Sequence, residues 1–146
     1  MTKKMNREDA TFTINEINWM NYFMRKAERL KIRIDTIQYQ IDHCTDPKSP
    51  QGHENIGAGR SLTFEGKSAY INEKSAEQQE LYEEYKKWHT RYIDAQVAYY
   101  RIIDETEEKD FAKDYFSKKY TKQQLEEMYH TPKAHRKMVQ IIMNVL

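Results

Sequence analysis

The stretch Met20-Asn21-Tyr22-Phe23-Met24-Arg25-Lys26-Ala27-Glu28-Arg29-Leu30-Lys31-Ile32-Arg33-Ile34-Asp35-Thr36-Ile37-Gln38-Tyr39-Gln40-Ile41-Asp42-His43-Cys44 places small or apolar side chains at Met20, Phe23, Ala27, Leu30, Ile34, Ile37, Ile41 and Cys44. The steps alternate between three and four residues, which is the heptad seam of a helix that buries one stripe. Met20, Ala27, Ile34 and Ile41 fall at a, and Phe23, Leu30, Ile37 and Cys44 at d. The same rhythm returns at Leu81, Tyr85, Trp88, Tyr92, Ala95, Tyr99 and Ile102. Two long helices are therefore predicted, each running to roughly 35 Å at 1.5 Å per residue. Seams of similar length favour an antiparallel, coiled-coil-like hairpin, with aliphatic knobs on one helix filling against aromatic ones on the other. At this spacing Tyr85, Trp88, Tyr92 and Tyr99 read as core, rather than as a ladder for stacking bases.

Between the seams lies the chain's punctuation. All four glycines and two of the three prolines, Pro47 and Pro50, fall between residues 47 and 66, so a mobile loop is expected over about 45–75. A second apolar stripe sits off the seams, with Ile32 and Tyr39 on the first helix and Ile93, Val97 and Tyr100 on the second. A two-helix hairpin cannot cover it. The expected cover is a second copy of the chain, giving a homodimeric four-helix bundle, in preference to the carboxy-terminal region folding back.

Composition narrows the function. In 146 residues, 38% are hydrophobic and 32% charged, which leaves room for one modest domain and an appendage but not a large enzyme core. No apolar run approaches a membrane span, and the opening Met1-Thr2-Lys3-Lys4-Met5-Asn6-Arg7-Glu8-Asp9 is too polar for a signal peptide, so a cytoplasmic protein with no membrane partner is expected. The lone Cys44 excludes an internal disulfide. His43, Cys44, Asp46 and His53 could be imagined around a metal, but Cys44 lies on the seam and reads more simply as a small core residue. Glu83-Glu84 and Glu126-Glu127 are sequence neighbours that point about 100° apart on a helix, so they read as solvated rather than as a catalytic pair. No phosphate-binding loop, dinucleotide turn, nucleophile elbow or zinc-protease motif occurs. The expectation is a non-enzymatic protein with no cofactor.

Charge is divided unevenly: residues 1–108 hold 16 Lys/Arg against 19 Asp/Glu, whereas residues 109–146 hold 8 against 4. The basic end is where an anionic partner belongs. Asp104-Glu105-Thr106-Glu107-Glu108 interrupts the apolar pattern and reads as a hinge, with acidic groups suited to the amino end of the next helix. Phe111, Ala112, Tyr115 and Phe116 then mark a short helix over about 107–118. Thr121-Lys122-Gln123-Gln124 has the form of a capping box and predicts a helix of about eight residues with Leu125 and Met128 inward. Thr131-Pro132 predicts a cap and first turn for the last helix, on which Ala134, Met138, Ile141, Ile142 and Val145 form an apolar face. The outward set is Lys133, His135, Arg136, Lys137 and Gln140. A short helix, a tight turn and a basic second helix make the plan of a helix-turn-helix, although the turn, His130-Thr131, lacks the glycine often found there. In this reading Lys133, His135, Arg136, Lys137 and Gln140 face bases or phosphates, and Lys118, Lys119 and Lys122 touch the backbone beside them.

The segment from Asp110 to Leu146 resembles region 4 of bacterial sigma factors, in order and spacing more than in identity. Tyr115-Phe116, Thr121, Leu125, Thr131, Met138 and Ile142 stand at the aromatic pair, the caps and the buried positions of that pattern, while His135 replaces a usual small aliphatic. The whole layout is similar to small sigma-like regulators of phages infecting Gram-positive bacteria, the ArpU and RinA type. That resemblance implies a phage or prophage regulator in the host cytoplasm that binds double-stranded promoter DNA and activates late genes, with host RNA polymerase as the implied protein partner. The expected organisation is a flexible N-terminus (1–12), a helical hairpin (13–104) and a small three-helix helix-turn-helix module (105–146). The rival is a non-enzymatic phage interaction protein acting through the hairpin: an adaptor, an inhibitor of a host factor, or a packaging or assembly subunit. A truncation at Asp104 is expected to separate the two.

Overall fold

The computed structural model describes residues 5–44 and 64–146. These form six helices: α1 (Arg7–Asn18), α2 (Met20–Asp42), α3 (Phe64–Glu105), α4 (Lys109–Ser117), α5 (Lys122–Met128) and α6 (Ala134–Val145). No strand occurs among the described residues, so the fold is all-α as the periodicities require. None of these helices is long and apolar enough to cross a membrane. The chain divides into two compact units, Met24–His89 and the combination of Met1–Phe23 with Thr90–Leu146.

Within Met24–His89, α2 and α3 run antiparallel. Leu30, Ile34 and Ile37 bury themselves against Leu81, with Ile41, Tyr85 and Trp88 packed at the margins. Gln78 donates from Nε2 to the Ile34 carbonyl (3.2 Å) and to Gln38 Oε1 (2.9 Å), while Lys26 Nζ lies 5.8 Å from the centre of the Trp88 ring. Contacts that climb one helix while descending the other are the signature of a hairpin. Lengths are less even than the seams suggest: α2 has 23 residues and α3 has 42. The difference arises at the start of α3, where residues 64–75 are helical although a loop was expected to about 75. Gly66 falls in the first turn, where it interrupts little of the helix interior. The remainder of that loop expectation, 45–63, lies outside the described residues.

The second unit corrects the expected division. In place of a flexible N-terminus over 1–12, Asn6 opens α1: its side chain accepts the Asp9 backbone N–H at 2.8 Å, and Glu8 and Asp9 occupy the first turn. Ala10, Ile14 and Ile17 are buried, in one core with Ala95, Ile102 and Ile103 of α3 and with Phe111, Leu125, Ala134, Met138 and Ile142 of α4–α6. Glu16 and Arg91 tie α1 to α3 through two hydrogen bonds (2.7 and 3.2 Å), and the Arg91 guanidinium stacks 4.1 Å over Phe23. The boundary expected at 104/105 runs through this core rather than beside it.

The acidic stretch after α3 is a fixed turn. Thr106, 6% exposed, donates its backbone N–H to the Ile102 carbonyl (3.0 Å) and accepts the Glu108 N–H at its hydroxyl (3.1 Å). Lys109 Nζ donates to the carbonyls of Ile103 and Asp104, each at 2.7 Å, satisfying the open end of α3 with a cation.

Candidate nucleic-acid interface

Helix α5 begins as its sequence dictates. Thr121 Oγ1 accepts the Gln124 N–H (3.1 Å), and Gln124 Oε1 accepts the Thr121 N–H (2.8 Å), so both halves of the capping box are made. The helix ends at a left-handed residue, His130, with φ of 52°. The Thr131 N–H then reaches back to the Glu126 carbonyl at 3.0 Å, the six-to-one bond of a Schellman turn. Histidine therefore occupies the position where glycine is easiest, and the missing glycine does not prevent the turn.

The start of α6 differs from expectation. Thr131 and Pro132 lie outside the helix, and Lys133 is its N-cap without a side-chain bond. The cap comes instead from Glu126, whose Oε2 accepts the Ala134 N–H at 3.0 Å. A carboxylate at a helix amino end is favoured by the free N–H groups there. Glu126 is thus half-buried and occupied, whereas its neighbour Glu127 is exposed. On the α4 side the Tyr129 hydroxyl donates to Asp114, which pushes the phenol up to about 12.

Lys133, Arg136 and Gln140 are exposed and share one side of α6 with Asn144, to which Gln140 Nε2 donates at 3.1 Å. They border a groove of about 420 Å³ that also contains Lys137 and Glu108. Neither Lys133 nor Arg136 has an ion-pair partner among the described residues. Lys137 does: its Nζ sits 2.6 Å from Glu108 Oε1 and 5.0 Å from the centre of the Phe111 ring, and its side chain is only 24% exposed. It was expected to face outward as a free cation; the carboxylate at the start of α4 and the ring beneath hold it in place.

His135 is corrected more strongly. At 100° per residue it points away from the Lys133–Gln140 row, toward the buried side of α6. Its Nδ1 lies 3.1 Å from the Tyr115 hydroxyl, and the ring is half-buried. Burial, with the charges of Lys122 and Arg7, holds its imidazole below the usual 6.5. Burial also pushes the Tyr115 phenol up. The place expected to hold a small aliphatic is an inner place, and histidine fills it by sharing a hydrogen bond.

The remaining expected contacts gather elsewhere. Lys118, left-handed with φ of 60°, donates from Nζ to the Asn18 carbonyl at 3.1 Å. It borders a separate cleft of about 200 Å³ with Tyr115, Tyr120 and Lys122. Lys119 and Lys122 are exposed. Sequence reasoning missed Glu108, Asn144 and Arg7. Asn144 stands one turn beyond Gln140, a spacing that could have pointed to it; Glu108 was legible only as an acidic group at the amino end of α4, and nothing local pairs it with Lys137 or points to Arg7.

Of the proposed self-association residues, Val97 (60% exposed), Tyr100 (56%) and Ile93 are open in the unit containing α6. Ile32 and Tyr39 are exposed in the hairpin unit, where Tyr39 stacks on His43 with ring centres 3.8 Å apart. Among the described residues no group of three His, Cys, Asp or Glu side chains is arranged to hold a metal. No family model, curated protein or solved structure matches the chain.

Proposed function

We propose that this chain is a non-enzymatic, DNA-binding transcription regulator of the phage or prophage type, acting on late-gene promoters in the bacterial cytoplasm. The carrying observation is the exposed row Lys133, Arg136, Gln140 and Asn144 along α6, presented after a capped α5 and a tight turn. Cations near the amino end suit phosphate or guanine, and the amides behind them suit an adenine edge. With few free cations one module binds weakly. Pairing through Ile93, Val97 and Tyr100, or contact with host RNA polymerase, supplies the remaining affinity for a specific site.

Substituting both Lys133 and Arg136 by alanine tests this reading in the full chain. Loss of one phosphate contact (Lys133 alone) or two (Arg136 also on phosphate) should reduce the slope of log affinity against log salt by about 0.9 to 1.8 and weaken duplex retention in a gel shift, with helicity unchanged. Retention equal to the parent protein would overturn it. The interaction-protein reading has one observation in its favour, the exposed Ile93, Val97 and Tyr100 stripe. It calls for polar substitutions there to abolish activity while the Lys133/Arg136 variant keeps it.

A further inference from the structure

The Glu108–Lys137 pair is an unusual thing to find in a face that is to receive a polyanion. Glu108 enters the groove from the turn before α4, where its own N–H is anchored to the Thr106 hydroxyl. Its carboxylate is 47% exposed and stands 2.6 Å from Lys137 Nζ. The ammonium also lies over the ring of Phe111, a residue 1% exposed in the core, so it is held from two sides. A free lysine at this point of α6 would extend to the nearest phosphate of any sequence. Paired, it contributes no such contact, and the carboxylate beside it repels phosphate oxygens that come close. The groups left to meet DNA are Lys133, as a phosphate contact, and Arg136, Gln140 and Asn144, which carry the hydrogen-bonding patterns that distinguish bases.

Resting on the DNA-binding reading, we propose that Glu108 is a specificity-determining residue: by holding Lys137 it removes one sequence-independent phosphate contact from the recognition face, so that base-edge contacts make up a larger share of what that face binds. Affinity for arbitrary duplex is thereby lowered while the base-directed contacts stand, and the ratio of specific to non-specific binding rises.

The test uses full-length protein, a random-sequence duplex and a salt series from 50 to 200 mM, with circular dichroism to verify helicity. Glu108→Gln keeps the shape of the side chain and frees Lys137. Its log–log salt slope should steepen by about 0.9. Its advantage over the parent should accordingly be about three- to four-fold greater at the low end of the series than at the high end. The double variant Glu108→Gln/Lys137→Met should return to the parental slope, because the freed cation is then gone. An unchanged slope in Glu108→Gln, or a steepening that survives in the double variant, overturns the assignment while leaving DNA binding intact. Failure of the parent protein and every variant to bind duplex overturns the DNA-binding reading and this inference with it.

Discussion

Replacing Ile14 by alanine asks whether α1 belongs to the core that supports α6. Ile14 is 1% exposed among Ile102, Met138 and Ile142, which are fully buried in the same cluster. The substitution removes three carbons from a packed site, worth about 2.4 kcal/mol in transfer free energy at about 0.8 kcal/mol each. The cavity left behind raises the total to about 3–4 kcal/mol. At a urea m-value of roughly 1.5 kcal/mol per molar, the unfolding midpoint should fall by about 2 M. Phe12→Ala is the internal control: the deleted side chain is larger, but Phe12 is 63% exposed on the same helix, and the cost should stay within about 0.5 kcal/mol. Amide exchange adds the location, since Ile14→Ala should accelerate exchange in α6 as well as in α1. An Ile14→Ala cost below about 1 kcal/mol, or α6 exchange unchanged, would mean that the amino-terminal helix is a loosely held appendage.

Two further outcomes follow from local geometry. The folded state holds His135 below its usual 6.5, chiefly by burial and then through Lys122 and Arg7. Its contribution to stability is therefore complete above that value and is lost as pH falls through the depressed one. Melting temperature should drop between pH 7.5 and 5, and His135→Leu should flatten that part of the curve; equal pH profiles would refute the assignment. At the turn, His130→Gly removes the left-handed penalty of a side chain at φ 52° and should raise stability by up to about 1 kcal/mol, measured by thermal melting, whereas a loss would show that the imidazole itself holds the turn.

Most inward-facing positions were legible in the sequence, but Met128, read as inward, is 46% exposed, and His135, read as outward, is half-buried on the inner side of α6. Phe23, Ala27, Leu30, Ile34 and Ile37 are buried in succession on α2, and Leu81, Ala95 and Ile102 are buried on α3. The capping box at Thr121 was equally plain, because its partners lie three residues apart. What escaped depends on partners distant along the chain. α1 is announced by Asn6 and by Ala10, Ile14 and Ile17 at helical spacing, but its polar opening and the lack of glycine or proline near Trp19 conceal it as a separate element. Lys137 and His135 look alike as basic residues of α6; helical spacing turns His135 inward once the exposed row is known, but only the distant Glu108 shows that Lys137 is held.

That shared core also decides how the regulator and interaction readings can be told apart. A cut at Asp104 was expected to leave an intact hairpin, but it removes Phe111, Leu125, Met138 and Ile142 from the surface that Ala10, Ile14, Ile17, Ile102 and Ile103 bury. In residues 1–104 these five apolar side chains lose the cover that α4–α6 give them, and an unfolded or aggregated fragment loses activity under either reading. Loss after truncation thus reports on folding, and only retention would be informative. Substitutions at exposed positions avoid this ambiguity, because Lys133, Arg136, Val97 and Tyr100 are all open to solvent and changing them leaves the core untouched. The two faces lie on helices of one folded unit, so each variant serves as the folding control for the other.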